Sequence, residues 1–324
     1  IHELQDIFDA ADMEQRDVGY SIGPNFALVA DLYIKRRFCD ALIKYRIIRD
    51  SNLVDIYKDN TFFKALSFHD YETLLHGVLS LMSRKGIRAR LVCPECMHAT
   101  IVDNIDINSA KYYNKQLITP ELRTWWETRV GPDGKPIRRT AEDCEKYRRD
   151  SLNFTHEFTE DFETAKIKIC MREPSMDEYF TVGEKIVNLI QRCVDETSKN
   201  DEDRRRVILA NLSAHAYHMI TPWVDHIEQI DENGTVLRRT TNRDAILDTF
   251  DITTQDLSMR PLDELATMCA NSKICFIGTF ALECPYCHAK PDVGADQFYP
   301  LEVQSIFFGH LFHRLPAELM PMGE

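Results

Sequence analysis

The sequence predicts an α+β protein that is mostly helical, with short β-hairpins and two strand-flanked CxxC zinc knuckles. Three observations favour this fold class. Apolar side chains recur at helical spacing in several long segments. Clusters of Gly, Pro, Asn and Asp separate short segments in which apolar and polar residues alternate, as they do in β-hairpins. The pattern Cys-Pro-x-Cys occurs at residues 93–96 and again at residues 284–287.

The first elements lead into the first knuckle. Apolar periodicity predicts helices over residues 25–45 and over residues 69–84. Residues 87–92 alternate as a strand that ends at the Cys-Pro-x-Cys pattern, and residues 99–107 have the composition of a returning strand. The first knuckle is therefore expected to lie at the tip of a hairpin.

The middle of the chain predicts a hairpin followed by a strand and a helix. Residues 118–140 combine a short helical pattern with a Gly-Pro-Asp-Gly turn. Residues 166–171 alternate as a strand and lead into Ser175 and Glu178, which have the spacing of a capping box at a helix start. Gly183 lies on the apolar face of that helix, where its low helix propensity is unfavourable.

The last elements repeat the approach to a knuckle. A helix is predicted over residues 207–219, and Asn233-Gly234 predicts a type I′ hairpin that is similar in sequence to the earlier one. A further helix is predicted over residues 262–275. Residues 277–282 form the predicted strand that leads into the second knuckle.

These elements divide the sequence into three consecutive regions. Residues 1–115 form a helical region that ends in the first knuckle, and residues 116–200 contain the hairpin and the strand–helix segment. Residues 201–324 form a helical region that ends in the second knuckle. The charged segment 195–206 is the best candidate for a boundary between regions.

Composition restricts the class of function. The chain has 324 residues, enough to bury a substantial core. Its net charge of −13 makes nucleic acid an unexpected partner, because such binding depends on Lys and Arg neutralising phosphates. No apolar run reaches the length of a membrane helix. Several of the ten cysteines lie in helix-like apolar patterns, which is typical of a chain made in a reducing cytoplasm.

The two knuckles predict a structural zinc site. Two thiolates separated by two residues can point at one ion, and structural Zn²⁺ takes four ligands in a tetrahedron. The simplest arrangement is one shared site formed by Cys93, Cys96, Cys284 and Cys287. Enlarging a loop about tenfold costs only roughly 2 kcal/mol. Structural zinc contributes about 10–16 kcal/mol in small peptides, so the separation in sequence is not prohibitive.

Two alternatives to one shared site stay open. Each knuckle could form its own site, with His98 in the first and His288 in the second, and with Cys269 or Cys275 as a further ligand. The cysteine pairs could also be thiols in tight turns without metal. Catalytic zinc is not expected, because four cysteine ligands leave no open position. The cytidine-deaminase pattern also places Pro before the first cysteine of the pair, whereas here Pro lies inside both pairs.

Other residues of interest are interpreted as structural. His215 and His218 share one predicted helical face, with His226 further on, but no acidic partner follows at a recognised spacing. Trp223 and the pair Trp125-Trp126 are interpreted as core, with a contact patch as the alternative. The sequence contains no glycine-rich phosphate loop and no nucleophile elbow.

Three segments resemble one known family. They are KICMREPSMDEY at residues 168–179, the helix and knuckle segment at residues 63–107, and residues 263–288, which end in ALECPYCH. They are similar to baseplate hub and hub-assembly proteins of T-even-type contractile-tailed bacteriophages, in which a strand with an Arg-Pro-type motif precedes a helix and a helix approaches a CPxC knuckle. The chain departs from that pattern in having two knuckles and in having Glu173 inserted in the Arg-Pro motif.

The resemblance implies a non-enzymatic component of the phage tail baseplate. It implies other baseplate or tail proteins as partners, a possible homo-oligomer, and a location in the virion after synthesis in the host cytoplasm. Only the knuckle positions Cys93, Cys96, Cys284 and Cys287 carry over from the family. No catalytic residue is implied.

Overall fold

A computed structural model describes most of the chain. The described residues are 24–46, 48, 53–58, 60–83, 85–93, 95–152, 154–162, 165–197, 216–253, 260–280, 283–289, 298–301, 303–304 and 306–307. Within them the α-helices are α1 Pro24–Lys44, α2 Thr61–Ala65, α3 Phe68–Met82, α4 Pro120–Glu127, α5 Ala141–Tyr147, α6 Met176–Thr197, α7 Ala216–Ile220, α8 Arg243–Thr253 and α9 Arg260–Ser272. The strands are β1 Ile87–Val92, β2 Ala99–Ile105, β3 Lys111–Tyr113, β4 Thr155–Phe162, β5 Ala165–Arg172, β6 Val224–Ile230, β7 Val236–Thr240, β8 Cys275–Phe280 and β9 Phe298–Pro300.

The chain forms two compact units, and each unit is built from two separated stretches of sequence. The first, here called the sheet unit, comprises residues 1–68 and 120–272. The second, here called the knuckle unit, comprises residues 69–119 and 273–324. This discontinuous arrangement differs from the three consecutive regions expected from the sequence. Both knuckles belong to the same unit.

The expectation of a mostly helical fold is wrong. Of the described residues 48% are helical and 25% lie in strands, which is compatible with an α+β class in which the sheets are a major component. The sheet unit contains a four-stranded antiparallel sheet with the strand order β4-β5-β6-β7. Strand β4 pairs with β5 along its whole length, and the sequence analysis missed it. Its sequence, THEFTEDF, is rich in acidic residues, which have low strand propensity.

Several predicted elements are present close to their expected bounds. The helices predicted over residues 25–45 and 69–84 correspond to α1 and α3, and the strands around the first knuckle correspond to β1 and β2. The capping box is formed: the Ser175 backbone N–H donates to Glu178 at 3.0 Å, and the Glu178 N–H donates to the Ser175 hydroxyl at 3.1 Å. Helix α6 therefore begins where the sequence indicated.

Two expectations fall largely outside the described residues. The helix predicted over residues 207–219 is represented by α7, which covers its last residues and ends at Ile220. The charged segment 195–206 is helical as far as Thr197, the end of α6. The remaining residues of both segments lie outside the described part of the chain.

The second hairpin has a different turn from the expected type I′. Of the pair Asn233-Gly234, only Gly234 has a positive φ, of 82°, whereas a type I′ turn needs both. The Gly234 N–H donates to the Asp231 carbonyl, and the Asp231 N–H donates to the Thr235 carbonyl. The Asp231 carboxylate accepts the backbone N–H groups of Asn233 and Thr235, at 2.9 and 2.7 Å. These bonds favour a type I turn closed by a glycine bulge.

The hydrophobic core of the sheet unit lies on one face of its sheet. Three strands contribute the row Phe158, Ile169 and Ile227, which lie opposite one another in the register. Helices α7, α8 and α9 cover this row with further buried side chains, namely Tyr217, Ile220, Ile246, Phe250 and Met268. The alternate residues of the same strands face away from this core, because side chains alternate along a strand.

Gly183 has a packing role in α6. A Cβ at this position would lie 2.3 Å from Cδ2 of Leu32, which belongs to α1. The glycine therefore lets α1 approach α6 closely. This contact explains why a residue of low helix propensity stands in the middle of a helix.

Candidate metal centre

The first knuckle lies at the tip of the hairpin formed by β1 and β2. In β1 the side chains of Ile87, Ala89 and Leu91 are buried and those between them are exposed, as expected for a strand with one core face. Strand β1 pairs with β2 as far as Val92 opposite Ala99, so the residues between them form the tip of the hairpin. The sequence predicted this hairpin correctly.

The second knuckle repeats the backbone hydrogen bonds of the first. In the first, the Cys93 N–H donates to the His98 carbonyl at 2.9 Å and the Met97 N–H donates to the Cys93 carbonyl at 2.8 Å. In the second, the N–H of Cys284 donates to the Ala289 carbonyl at 3.1 Å, and the N–H of His288 donates to the Cys284 carbonyl at 2.9 Å. The two segments are thus copies of one local structure.

The residue that follows the second cysteine has the same backbone conformation in both knuckles. Met97 and His288 both lie in the left-handed region, with φ of 57° and 56°. This conformation is uncommon for residues other than glycine. Its presence at equivalent positions indicates that the turn geometry is required to aim both sulfurs of a knuckle in one direction.

The four predicted cysteines lie together in one cluster that could hold a metal ion. The sulfur of Cys93 is 3.8 Å from that of Cys287, and the sulfur of Cys96 is 3.8 Å from that of Cys284. All four sulfurs lie within 4.8 Å of one another. A tetrahedral ion with Zn–S bonds of about 2.3 Å would separate its ligands by about 3.8 Å. Disulfide sulfurs are about 2.0 Å apart, so these are thiol contacts.

Ionisation of the cluster is uneven without a cation. The backbone N–H groups of Cys287 and Tyr286 donate to the sulfur of Cys284 and lower its pKa to about 6. The His98 N–H acts in the same direction on Cys96, but desolvation and the neighbouring thiols raise the pKa of Cys96 to about 12. Four thiolates at this separation repel one another, so a bound cation is what would allow all four to ionise.

The histidines near the knuckles have other partners. The ring of His98 stacks on that of Tyr286 with centroids 4.5 Å apart, and His288 Nδ1 lies 3.3 Å from the Glu283 carboxylate. Cys275 lies in β8, opposite Tyr113, and Cys269 belongs to α9 of the sheet unit. Among the described residues, the metal-compatible group at the knuckles contains the four cysteines alone. The geometry therefore favours one shared site over two separate sites.

The structure also brings together a second group of ligand-type side chains, which the sequence analysis missed. Cys170 on β5 lies near His226 and Glu228 on β6, with ligand atoms within 4.8 Å of one another. Burial raises the pKa of the Cys170 thiol to about 12, and the nearby Glu157 carboxylate acts in the same direction. The i, i+2 spacing of His226 and Glu228 is the one local signal for this group, and Cys170 meets them only through strand pairing. His215 and the side chain of His218 lie outside the described residues.

The tryptophans have mixed roles. Trp223 is buried in the core of the sheet unit, as interpreted from the sequence. Trp125 stacks on Tyr147 with centroids 4.1 Å apart, and the Arg139 guanidinium lies over the Trp125 ring at 4.1 Å. Trp126 is exposed, so the core interpretation fails for this residue.

Neither a search for membrane helices nor comparison with known proteins indicates what this site does. Within the described residues, none of the helices combines the length and the apolar character that crossing a membrane requires. The phage baseplate family remains a hypothesis that rests on the sequence segments alone. Comparison of the chain with family models, with curated proteins and with solved structures finds no match.

Proposed function

We propose that the protein is a non-enzymatic structural or assembly component of a contractile phage tail baseplate, in its hub region, and that one zinc ion stabilises its knuckle unit. The observation that carries the zinc part of this proposal is the cluster of four sulfurs at tetrahedral spacing. Cys93 and Cys284 are buried and Cys287 is exposed, so the cluster lies at the edge of the unit.

A structural role follows from the chemistry of the four ligands. Four thiolates complete the coordination of Zn²⁺ and leave no position for water or substrate. The ion would instead join the tip of the β1–β2 hairpin to the segment after β8. Because these segments are distant in sequence, one ion would close a long loop at a small entropic cost. The zinc would thus contribute to the folding of the unit.

The baseplate part of the proposal is supported by the resemblance of the three sequence segments and by the acidic charge. Exposed apolar side chains at the knuckles are compatible with protein partners: Met97 is 71% exposed and Tyr286 is 68% exposed. Apolar side chains of this size at a surface are common at protein contacts. Other baseplate or tail proteins are the proposed partners, and the virion is the proposed location.

The zinc site is tested by metal content and thermal unfolding of cysteine variants. Cys93→Ser and Cys284→Ser are each expected to remove one equivalent of zinc and to lower the melting temperature. Because both ligands serve one ion, the double variant should melt no lower than the single ones. Cys275→Ser is the matched control, since this thiol lies in the same unit but outside the cluster. Additive losses in the double variant would contradict a shared site.

The baseplate role is tested by sedimentation. An antibody against the protein is used to follow it across a density gradient of phage tails and of baseplate intermediates. We expect the protein in fractions that contain baseplate or hub assemblies. If all of the protein stays at the top of the gradient as free protein, both with finished tails and with intermediates, the role is rejected. The zinc site would be unaffected by that result.

A further inference from the structure

We propose that Cys170, His226 and Glu228 form a second binding site for a divalent transition metal, zinc above all, on the polar face of the four-stranded sheet. The three ligand atoms lie within 4.8 Å of one another. The site belongs entirely to the sheet unit and is separate from the knuckle cysteines. It does not depend on the proposed baseplate role.

Strand register builds the site. Glu157, Cys170 and His226 lie directly opposite one another on β4, β5 and β6. Glu228 follows His226 by two residues along β6 and therefore points to the same face. The next row on the other face is the core row Phe158, Ile169 and Ile227. The proposed ligands therefore lie on the opposite side of the sheet from side chains of the hydrophobic core.

A bulge lies next to the site. The pairing of β5 with β6 shifts register between Cys170 and Met171, directly after the proposed thiolate ligand. Bulges bend a strand and re-aim the neighbouring side chain, and they are frequent beside functional sites. Here the bulge brings Asp225 next to the site as well as His226.

The ligand set and its burial are those of a zinc site. Sulfur, imidazole nitrogen and carboxylate oxygen are the three ligand types that zinc takes in proteins. Cys170 is 3% exposed, and the side chains of His226 and Glu228 are 13% and 12% exposed. A glutamate so little exposed on the polar face of a sheet is unusual, because carboxylates are rarely buried without a strong partner.

The imidazole is oriented for coordination. His226 Nδ1 lies 2.9 Å from the Asp225 carboxylate, which in turn accepts the Arg172 Nε–H at 2.6 Å. A carboxylate on one ring nitrogen fixes the tautomer and directs the other nitrogen to the metal. That other nitrogen, Nε2, faces Glu228 Oε1 at 3.5 Å. A metal ion between them would be bound by both.

Two cations border the site and would compete with a metal. Lys168 Nζ lies 2.6 Å from Glu157 and 3.9 Å from Glu228, so its stronger partner is Glu157. Arg239 Nε lies 4.0 Å from Glu228, and its side chain is 55% exposed. Its Nη2 lies 3.2 Å from His226 Nδ1, and because a guanidinium only donates, this contact is given up when Nδ1 carries the proton that it donates to Asp225. Neither makes a close hydrogen bond to Glu228, and the exposed Arg239 can turn away. The ion pairs therefore leave room for a doubly charged cation.

Glu157 gives the site a route for the proton that metal binding releases. The Cys170 thiol donates to Glu157 Oε1 at 3.5 Å. Binding of M²⁺ replaces the S–H bond by a metal–sulfur bond and releases one proton, which the half-exposed Glu157 carboxylate can pass to solvent. No oxidation or reduction is involved.

The test uses the full chain and Zn²⁺ alone as the probe. The protein is stripped of metal with a chelator, reloaded with Zn²⁺ and analysed for bound zinc after desalting. We expect Cys170→Ala and Glu228→Gln each to lose one equivalent while keeping the equivalent that depends on Cys93. Cys275→Ala and Glu232→Gln are matched controls, since one is a thiol elsewhere and the other an exposed acid of the same hairpin.

The outcomes separate this site from the knuckle site. Two equivalents in the wild type and one in each site variant, with circular dichroism unchanged, would support the second site. If the single substitution Cys93→Ser removes all bound zinc, the proposal of a second site is overturned, because no metal then remains for the sheet. If Cys170→Ala does not fold, Glu228→Gln decides, since this change keeps the side-chain size. Unchanged zinc content in Glu228→Gln would then reject the proposal.

Discussion

Arg172 connects three elements of the sheet unit through one buried guanidinium. It is the last residue of β5, and its side chain is only 14% exposed. Its Nε–H donates to Asp225 on β6, and its Nη1–H donates to Glu178 on α6 at 3.1 Å. The same glutamate closes the capping box with Ser175. Charge-assisted bonds of this kind are strong, but each buried charge depends on its partner.

Removing the charge of Glu178 should destabilise the protein in a pH-dependent way. Burial alone would raise the pKa of Glu178, but the hydrogen bonds and charge of Arg172 hold it below its usual range. A lowered carboxylate pKa stabilises the fold above the unfolded pKa of about 4.3, and the effect fades as pH falls below that value. Glu178→Gln should therefore cost about 1–3 kcal/mol at neutral pH and less in acid.

Urea unfolding at a series of pH values measures this difference. Gln at the third helical position can still complete a capping box, so the change isolates the charge. Glu184→Gln is the matched control, because Glu184 lies in α6 but its side chain is 68% exposed. A loss of stability in Glu178→Gln that stays constant from neutral pH into acid would show that the ion pair is not its cause.

At the scale of elements, the approach of α1 to α6 depends on the absence of a side chain at residue 183. A Cβ there would lie 2.3 Å from Leu32 Cδ2 and 2.8 Å from Leu32 Cγ, so the leucine would have to move. Alanine is the better helix former by about 1 kcal/mol. Overpacking costs about 1–3 kcal/mol, and we expect it to dominate in Gly183→Ala.

Leu32→Ala provides the test of that contact. It removes the atoms that an added Cβ would meet, so the double variant Gly183→Ala/Leu32→Ala should be more stable than the sum of the single losses predicts. Chemical denaturation of the three variants gives the coupling energy. Gly183→Ala would argue against close packing if it were more stable than the wild type.

Elements marked by local signals were predicted well, and elements defined by distant partners were not. The capping box at Ser175 and the alternation of β1 are local, and both were found from the sequence. Strand β4 was missed because acidic residues have low strand propensity. Only its pairing with β5 shows that Glu157 and its neighbours form a strand. The Asn233-Gly234 turn was assigned the wrong type because Asp231, outside the pair, decides its hydrogen bonds.

The same division holds for the candidate sites in the whole molecule. The knuckle cysteines were identified because each pair has a recognisable spacing. The sequence favoured one shared site as the simplest arrangement and left two separate sites open as an alternative. The convergence of Cys93 with Cys287 is a property of the tertiary structure. In the group around Cys170, only the i, i+2 spacing of His226 and Glu228 is visible in the sequence. Cys170 joins them only when β6 lies beside β5.

Loss of the zinc proposed for the knuckles should affect one unit of the molecule. All four cysteines belong to the knuckle unit, whereas the core of β4, β5, β6 and their covering helices lies in the sheet unit. In Cys93→Ser we therefore expect faster amide hydrogen exchange in β1, β2 and β8, because the metal no longer joins the segments that they carry. Exchange in β4, β5 and β6 should stay slow.

Mass spectrometry of peptides from both units measures this exchange, with Cys275→Ser as the control. Equal loss of protection in both units would show that the chain unfolds as one cooperative body, and that the four sulfurs stabilise more than the unit that contains them.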